Sequence, residues 1–140
     1  MALVMVVHIL SVGLFLGIAG SETVVEMMGR DPNKRAESIR LHYRIDLAVE
    51  VPVLAVAIGT GVWLAVRLHP HGWALVHTIA GAVGLGATSL AVVAVIRRRG
   101  ALVRDDQAAL ERAQKAFQIL VAIAIPAVMV ALGVALARVA

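Results

Sequence analysis

Length and apolarity of four segments constrain this chain more than anything else in it. A helix that crosses a bilayer needs about 20 mostly apolar residues. Four runs meet that requirement: Ala2 to Met28, Leu41 to Leu68, Gly72 to Ile96 and Lys115 to Ala137. Inside hydrocarbon, backbone polar groups must be bonded within the protein, which leaves helices or closed barrels. The 140 residues are 61% hydrophobic, and the mean hydropathy of +0.91 is far above that of a soluble domain. Only three connectors remain: Gly29 to Arg40, His69-Pro70-His71, and Arg97 to Arg112. The expected fold is therefore all-α, a single integral-membrane domain over 1–140, with its four helices packed up-down-up-down.

The first run lacks the basic start and the small-residue cleavage site of a secretory signal, and reads as retained. The chain has no cysteine, which excludes disulfides, thiolate metal sites and C-x-x-C-H haem attachment. Eleven of the thirteen Lys and Arg flank the first and third connectors, whereas only Arg67 and Arg138 lie on the opposite side. By the positive-inside rule, the basic connectors face the cytoplasm and both termini face outward, in a bacterial inner membrane. The net charge of +4 is this topology signal. It points to anionic lipid headgroups, not to nucleic acid.

Within the spans, Pro52 and Pro126 each remove a backbone donor and bend their helices. Asp31 or Asn33 is placed to cap the second helix, beginning near Ala36, and Asp105 and Asp106 form a capping pair before the fourth. The third span is rich in small residues from Ala80 to Ser89, which let helices approach closely.

Two polar constellations interrupt the apolar runs. At about 100° per residue, His8 and Glu26 point the same way along the first helix, with Phe15 and Glu22 within roughly 40° of that line. On the outer side, His8 lies about 10 Å and His77 about 6 to 8 Å into the membrane, taking 1.5 Å per residue. Gly81, Gly84 and Thr88 share the His77 face and leave a trough. Imidazoles on facing helices beside such a gap suit a b-type haem, with Met129 at similar depth as an alternative axial ligand. Copper is the competing metal, drawing on Met1, Met5 and His8.

On the inner side, His42, Asp46 and Glu50 follow one another at four-residue steps, opposite Glu22 and Glu26. So many buried carboxylates require protons, a metal or paired bases. Arg40, Arg44 and Lys115 are the nearest bases in sequence, with Gln118 and Tyr43 as hydrogen-bonding groups. Three functional readings fit the cluster: a proton path serving a redox centre, a hard-metal site, or an anchor for a quinone or tetrapyrrole. An ion-pair network holding helices one, two and four together is the structural alternative.

His8 with Gly13 and Gly17, Pro52 with Gly61-Val62-Trp63-Leu64, and Trp73 with His77 give the chain a layout that resembles small bacterial membrane proteins of the CopD-like and HemJ-like kind. Resemblance to HemJ-like proteins implies a haem-binding protoporphyrinogen oxidase with His8 as a haem ligand. Resemblance to CopD-like proteins implies a copper route through His8 and the outer methionines. No nucleotide loop, H-E-x-x-H or serine-nucleophile motif is present. The expected function is a membrane b-type haem protein, an electron-transfer or redox (oxidoreductase) subunit, with Glu22, Glu26, His42, Asp46 and Glu50 as the proton-handling or catalytic groups. The alternatives are a copper-binding or copper-moving protein, and an accessory subunit that packs through Gly13 and Gly17 in a homo-oligomer or larger complex.

Overall fold

A computed structural model of the chain describes residues 1–137, so Arg138 lies outside the described residues. The elements are α1 (Ala2–Met28), α2 (Arg35–Ile45), a single π-helical turn (Asp46–Glu50), α3 (Val51–Leu68), α4 (Trp73–Val103) and α5 (Gln107–Leu136). The second, third and fourth of these run on as one rod, Arg35–Leu68, which makes four helices long and apolar enough to cross a membrane. The fold is the expected all-α four-helix membrane bundle.

Polar helix extensions make the rods longer than the apolar runs. The second rod begins at Arg35, α4 continues through Arg97, Arg98 and Arg99 to Val103, and α5 begins at Gln107. These extensions are rich in Arg, Glu, Ala and Gln, all strong helix formers. Asp106 caps α5 as expected, its carboxylate accepting from the Ala109 N–H at 2.9 Å. At the second rod the expectation fails. Lys34 occupies the cap position without a side-chain bond, because Asp31 instead accepts the Asn33 N–H at 2.9 Å and closes the turn before it.

The four rods do not close evenly. The α4–α5 pair packs most extensively, α1 lies along the α2–α3 rod, and that rod joins the two pairs through α4. Little direct packing links α1 and α5, so a cleft opens between them. Glycine sets the α4–α5 spacing: a Cβ at Gly84 would stand 2.6 Å from a Val128 methyl and 3.1 Å from the Val128 backbone nitrogen. At Gly81, one turn away, it would meet nothing.

Two apolar layers cross the interior. Phe15, Leu54 and Val128 form one near mid-span, and Ile39, Ala101 and Leu110 form the other at the basic end. Between them lies a layer of charge. The outer surface is apolar, with Leu3, Ile9, Leu10, Val66 and Ile119 among its exposed side chains, as expected where lipid is the solvent.

Overpacking a tight helix crossing costs about 1–3 kcal/mol. Gly84→Leu should therefore lower the unfolding midpoint in detergent, while Gly81→Leu should leave it nearly unchanged. Equal midpoints for the two variants would refute this account of the α4–α5 contact.

A candidate metal centre in the bundle core

The charged layer is assembled first by a backbone contact. Ser38 is buried and its hydroxyl donates to the Val25 carbonyl of α1 at 2.7 Å. Gly29 allows that approach, since a Cβ there would stand 2.7 Å from the Ser38 oxygen. With these turns in register, Glu22 and Glu26 of α1 face His42, one turn further along the second rod.

The geometry around His42 is directional. Glu26 Oε1 accepts from His42 Nδ1 at 2.6 Å and from Arg98 Nη1 of α4 at 2.7 Å. A carboxylate only accepts, so the ring carries its proton on Nδ1, and in the neutral imidazole the Nε2 lone pair is turned the other way. Asp46 Oδ1 stands 3.2 Å from Nε2 and Glu22 Oε2 3.8 Å from it. Glu50, also buried, lines the same cavity as Glu22 and Asp46. Phe117 walls the group from α5, edge-on to the His42 ring at 5.2 Å and beneath the Arg98 guanidinium at 5.1 Å.

The π turn brings Asp46 and Glu50 to one side. Four residues along an α-helix overshoot a full turn by about 40°, which would carry Glu50 away from His42. From Asp46 the chain instead closes on the fifth residue, the Val51 N–H donating to the Asp46 carbonyl, and the wider turn pulls Glu50 back. Pro52 follows directly. Its ring clashes with the carbonyl four residues earlier in a regular helix, so a local widening is the natural response. His42 and Asp46 are each 1% exposed and Glu50 4%.

Three buried atoms here have no hydrogen-bond partner: Glu22 Oε1, Asp46 Oδ1 and Arg98 Nε. Asp46 Oδ1 thus approaches His42 Nε2 closely without being bonded to it. Two ligand atoms held at about 2.1 Å from one ion stand about 3.0–3.4 Å apart at octahedral to tetrahedral angles. The 3.2 Å separation lies in that range, and donor atoms of Glu22, His42 and Asp46 all lie within 4.8 Å of one another. The Glu26–His42 bond is the contact that usually backs a metal-bound imidazole, fixing its tautomer and orientation.

Glu22, His42, Asp46 and Glu50 also line a cavity of about 910 Å³ that fills the gap between α1 and α5. It runs from the basic connector at Arg30 and Arg35 to Phe15, Pro126 and Met129 near mid-span.

All five inner residues singled out from the sequence are brought together. The base that meets them is different: Arg40, Arg44 and Lys115 are exposed, and Arg98 is the partner, so the polar network ties in α4. Sequence reasoning treated Arg97-Arg98-Arg99 as topology. Successive residues on a helix are turned about 100° apart, so three in a row cannot all face outward on a packed rod. The π turn and the Ser38 contact also went unread.

The outer residues are placed otherwise. His8 Nδ1 meets the Ala57 carbonyl at 3.2 Å and Thr60 Oγ1 at 3.0 Å, in room left by Gly61. His77 Nδ1 donates to the Ala131 carbonyl at 2.8 Å. Neither ring lines the large cavity or the shallow groove between α1 and α3. Gly84 is occupied by Val128, Gly81 faces open space, and Met129 is exposed and lines the inner cavity. Comparisons with protein-family models, curated proteins and solved structures give no match.

Removing one partner of a buried ion pair leaves an uncompensated charge, at a cost of about 3–5 kcal/mol when burial is complete. Glu26 is 23% exposed, so Arg98→Met should cost somewhat less. Adding Glu26→Gln to Arg98→Met should recover part of the loss. A strictly additive double mutant, followed by thermal unfolding, would contradict the pairing.

Proposed function

We propose that the protein is an integral-membrane metalloprotein whose centre is built by Glu22, His42 and Asp46, with Glu50 completing the donor set. The observation carrying this reading is the arrangement about His42: its Nδ1 is bonded to Glu26, while its Nε2 faces two buried carboxylates with unpartnered oxygens. One imidazole with several carboxylates suits Mn²⁺, Fe²⁺ or Zn²⁺ and disfavours Cu⁺, which prefers sulfur. A divalent ion would also offset the excess of four carboxylates over one guanidinium in this layer. With the basic connectors inside, the centre belongs to the cytoplasmic half of a bacterial inner membrane, and a bound Fe²⁺ or Mn²⁺ would give it a redox role.

Metal analysis of the purified chain after loading with each ion tests the proposal. About one ion per chain is expected, with binding lost in His42→Ala and Asp46→Asn and kept in His8→Ala. No ion retained by the wild type would refute it.

A second reading, a b-type haem or copper site at His8 and His77, has one observation in its favour. Both rings are held through Nδ1 by carbonyl or hydroxyl oxygens, leaving Nε2 as the ligating atom, as in haem and metal sites generally. It predicts a Soret band, or bound copper, that disappears in the His8→Ala, His77→Ala double mutant. Absence of both signals from wild-type protein expressed with haem and copper supply removes it.

A further inference from the structure

We infer that the cavity between α1 and α5 is the binding site for a membrane-dissolved amphiphile with one apolar chain and a neutral oxygen head group, of the quinone or polyprenol kind, whose head sits against the metal-ligand cluster. The inference rests on the proposed metal centre for the surroundings of the head, and on the cavity itself for the rest.

A volume of about 910 Å³ lies in the upper range of sites for small molecules and cofactors. The cavity is divided along its length. Leu16, Ala19, Val121, Ile125 and Met129 surround its mid-membrane part, and Phe15 ends it there. Glu22, Asp46 and Glu50 line the other part, with Gln114 and Gln118 on the α5 side. An occupant therefore needs a chain for one end and hydrogen-bonding oxygen for the other. The missing α1–α5 packing opens this space sideways, toward lipid, so a molecule dissolved in the bilayer enters without crossing water.

Charge selects the head group. The layer holds Glu22, Glu26, Asp46 and Glu50 against one guanidinium, Arg98, already bonded to Glu26. Even with one divalent ion bound, four carboxylates against Arg98 and that ion leave no surplus positive charge to hold an anionic head. Arg30 and Arg35 line only the rim and are exposed, so they offer an anion no place inside. A neutral hydroxyl can donate to the carboxylates, and a neutral carbonyl can accept from the Gln118 amide.

The test uses the full chain in lipid nanodiscs and a benzoquinone with a decyl chain ending in a photoactivatable diazirine. Cross-links should map to Leu16–Thr23 of α1 and Val121–Met129 of α5, and excess unlabelled decyl-quinone should suppress them. Ala19→Trp and Val121→Trp, which fill the cavity from opposite walls, should each cut labelling by roughly tenfold, whereas the lipid-facing Ala55→Trp should not. Two substitutions guard against one failing to fold, and metal content is read on every sample. Labelling spread evenly over lipid-facing helices, or unaffected by both cavity-filling variants, overturns the inference. Suppression by phosphatidylglycerol or oleate but not by the quinone also overturns it, since the occupant would then be anionic. Cavity labelling by a wild-type chain that retains no metal supports the lipid site and refutes the metal centre alone.

Discussion

One oxygen atom, Glu26 Oε1, accepts from His42 and from Arg98 and so ties three of the four rods together. That matters more in a membrane than it would in water. Lipid tails are as apolar as the helix faces, so burial of apolar surface supplies little attraction between helices, and close packing and polar contacts must do it. The α4–α5 pair uses packing, through Gly84 against Val128. The α1–α2 contact uses both, through Gly29 and the Ser38 bond to Val25. Joining α4 to that contact uses the Glu26 carboxylate together with the packing of Ile39 on Ala101.

The same atom organises chemistry. By accepting the hydrogen bond from His42 Nδ1–H, Glu26 determines which ring nitrogen faces Glu22 and Asp46, and Arg98 balances the charge on Glu26 so that its oxygen can do so. Holding the rods together does not require the other three acids. Glu22, Asp46 and Glu50 meet no guanidinium or ammonium among the described residues, and two of their oxygens are unpartnered. A layer built only for cohesion would be better served by fewer carboxylates, since each one left without a cation must take up a proton or a metal ion or bear a desolvation cost of several kcal/mol. Their excess is the physical reason to read the layer as a site.

Much of this was legible in the sequence, for identifiable reasons. Span number follows from hydropathy because the bilayer sets one length for all four rods. His42, Asp46 and Glu50 were grouped with Glu22 and Glu26 because i, i+4 spacing and equal depth are both read by counting. Arg98 was missed because counting assigns a residue to a connector by composition, and only packing decides which of three consecutive arginines turns inward. The π turn was missed because Pro52 alone does not say whether a rod kinks or widens. The second and fourth rods begin at Arg35 and Gln107, where Ala36 and the Asp105–Asp106 pair put them, whereas the third rod runs on through Arg97 to Val103, a polar stretch that a hydropathy window excludes.

The open side of the bundle follows from where the close contacts were spent. Gly84 pulls α5 onto α4, and Gly29 and Ser38 pull α1 onto α2, so the two terminal rods are drawn toward different partners and away from each other. Phe15 closes the resulting space at mid-span by reaching Leu54 and Val128, and Ile39, Ala101 and Leu110 close the bundle at the basic end. The charged layer lies between these two apolar clusters and borders the cavity, which continues past it to the basic connector at Arg30, Pro32 and Arg35. The cavity gives Glu22 and Asp46 two approaches, a polar one from the basic connector and an apolar one past Leu16, Val121 and Ile125. A hydrated ion suits the polar approach and an amphiphile the apolar one. Both approaches are consequences of one asymmetry in helix packing.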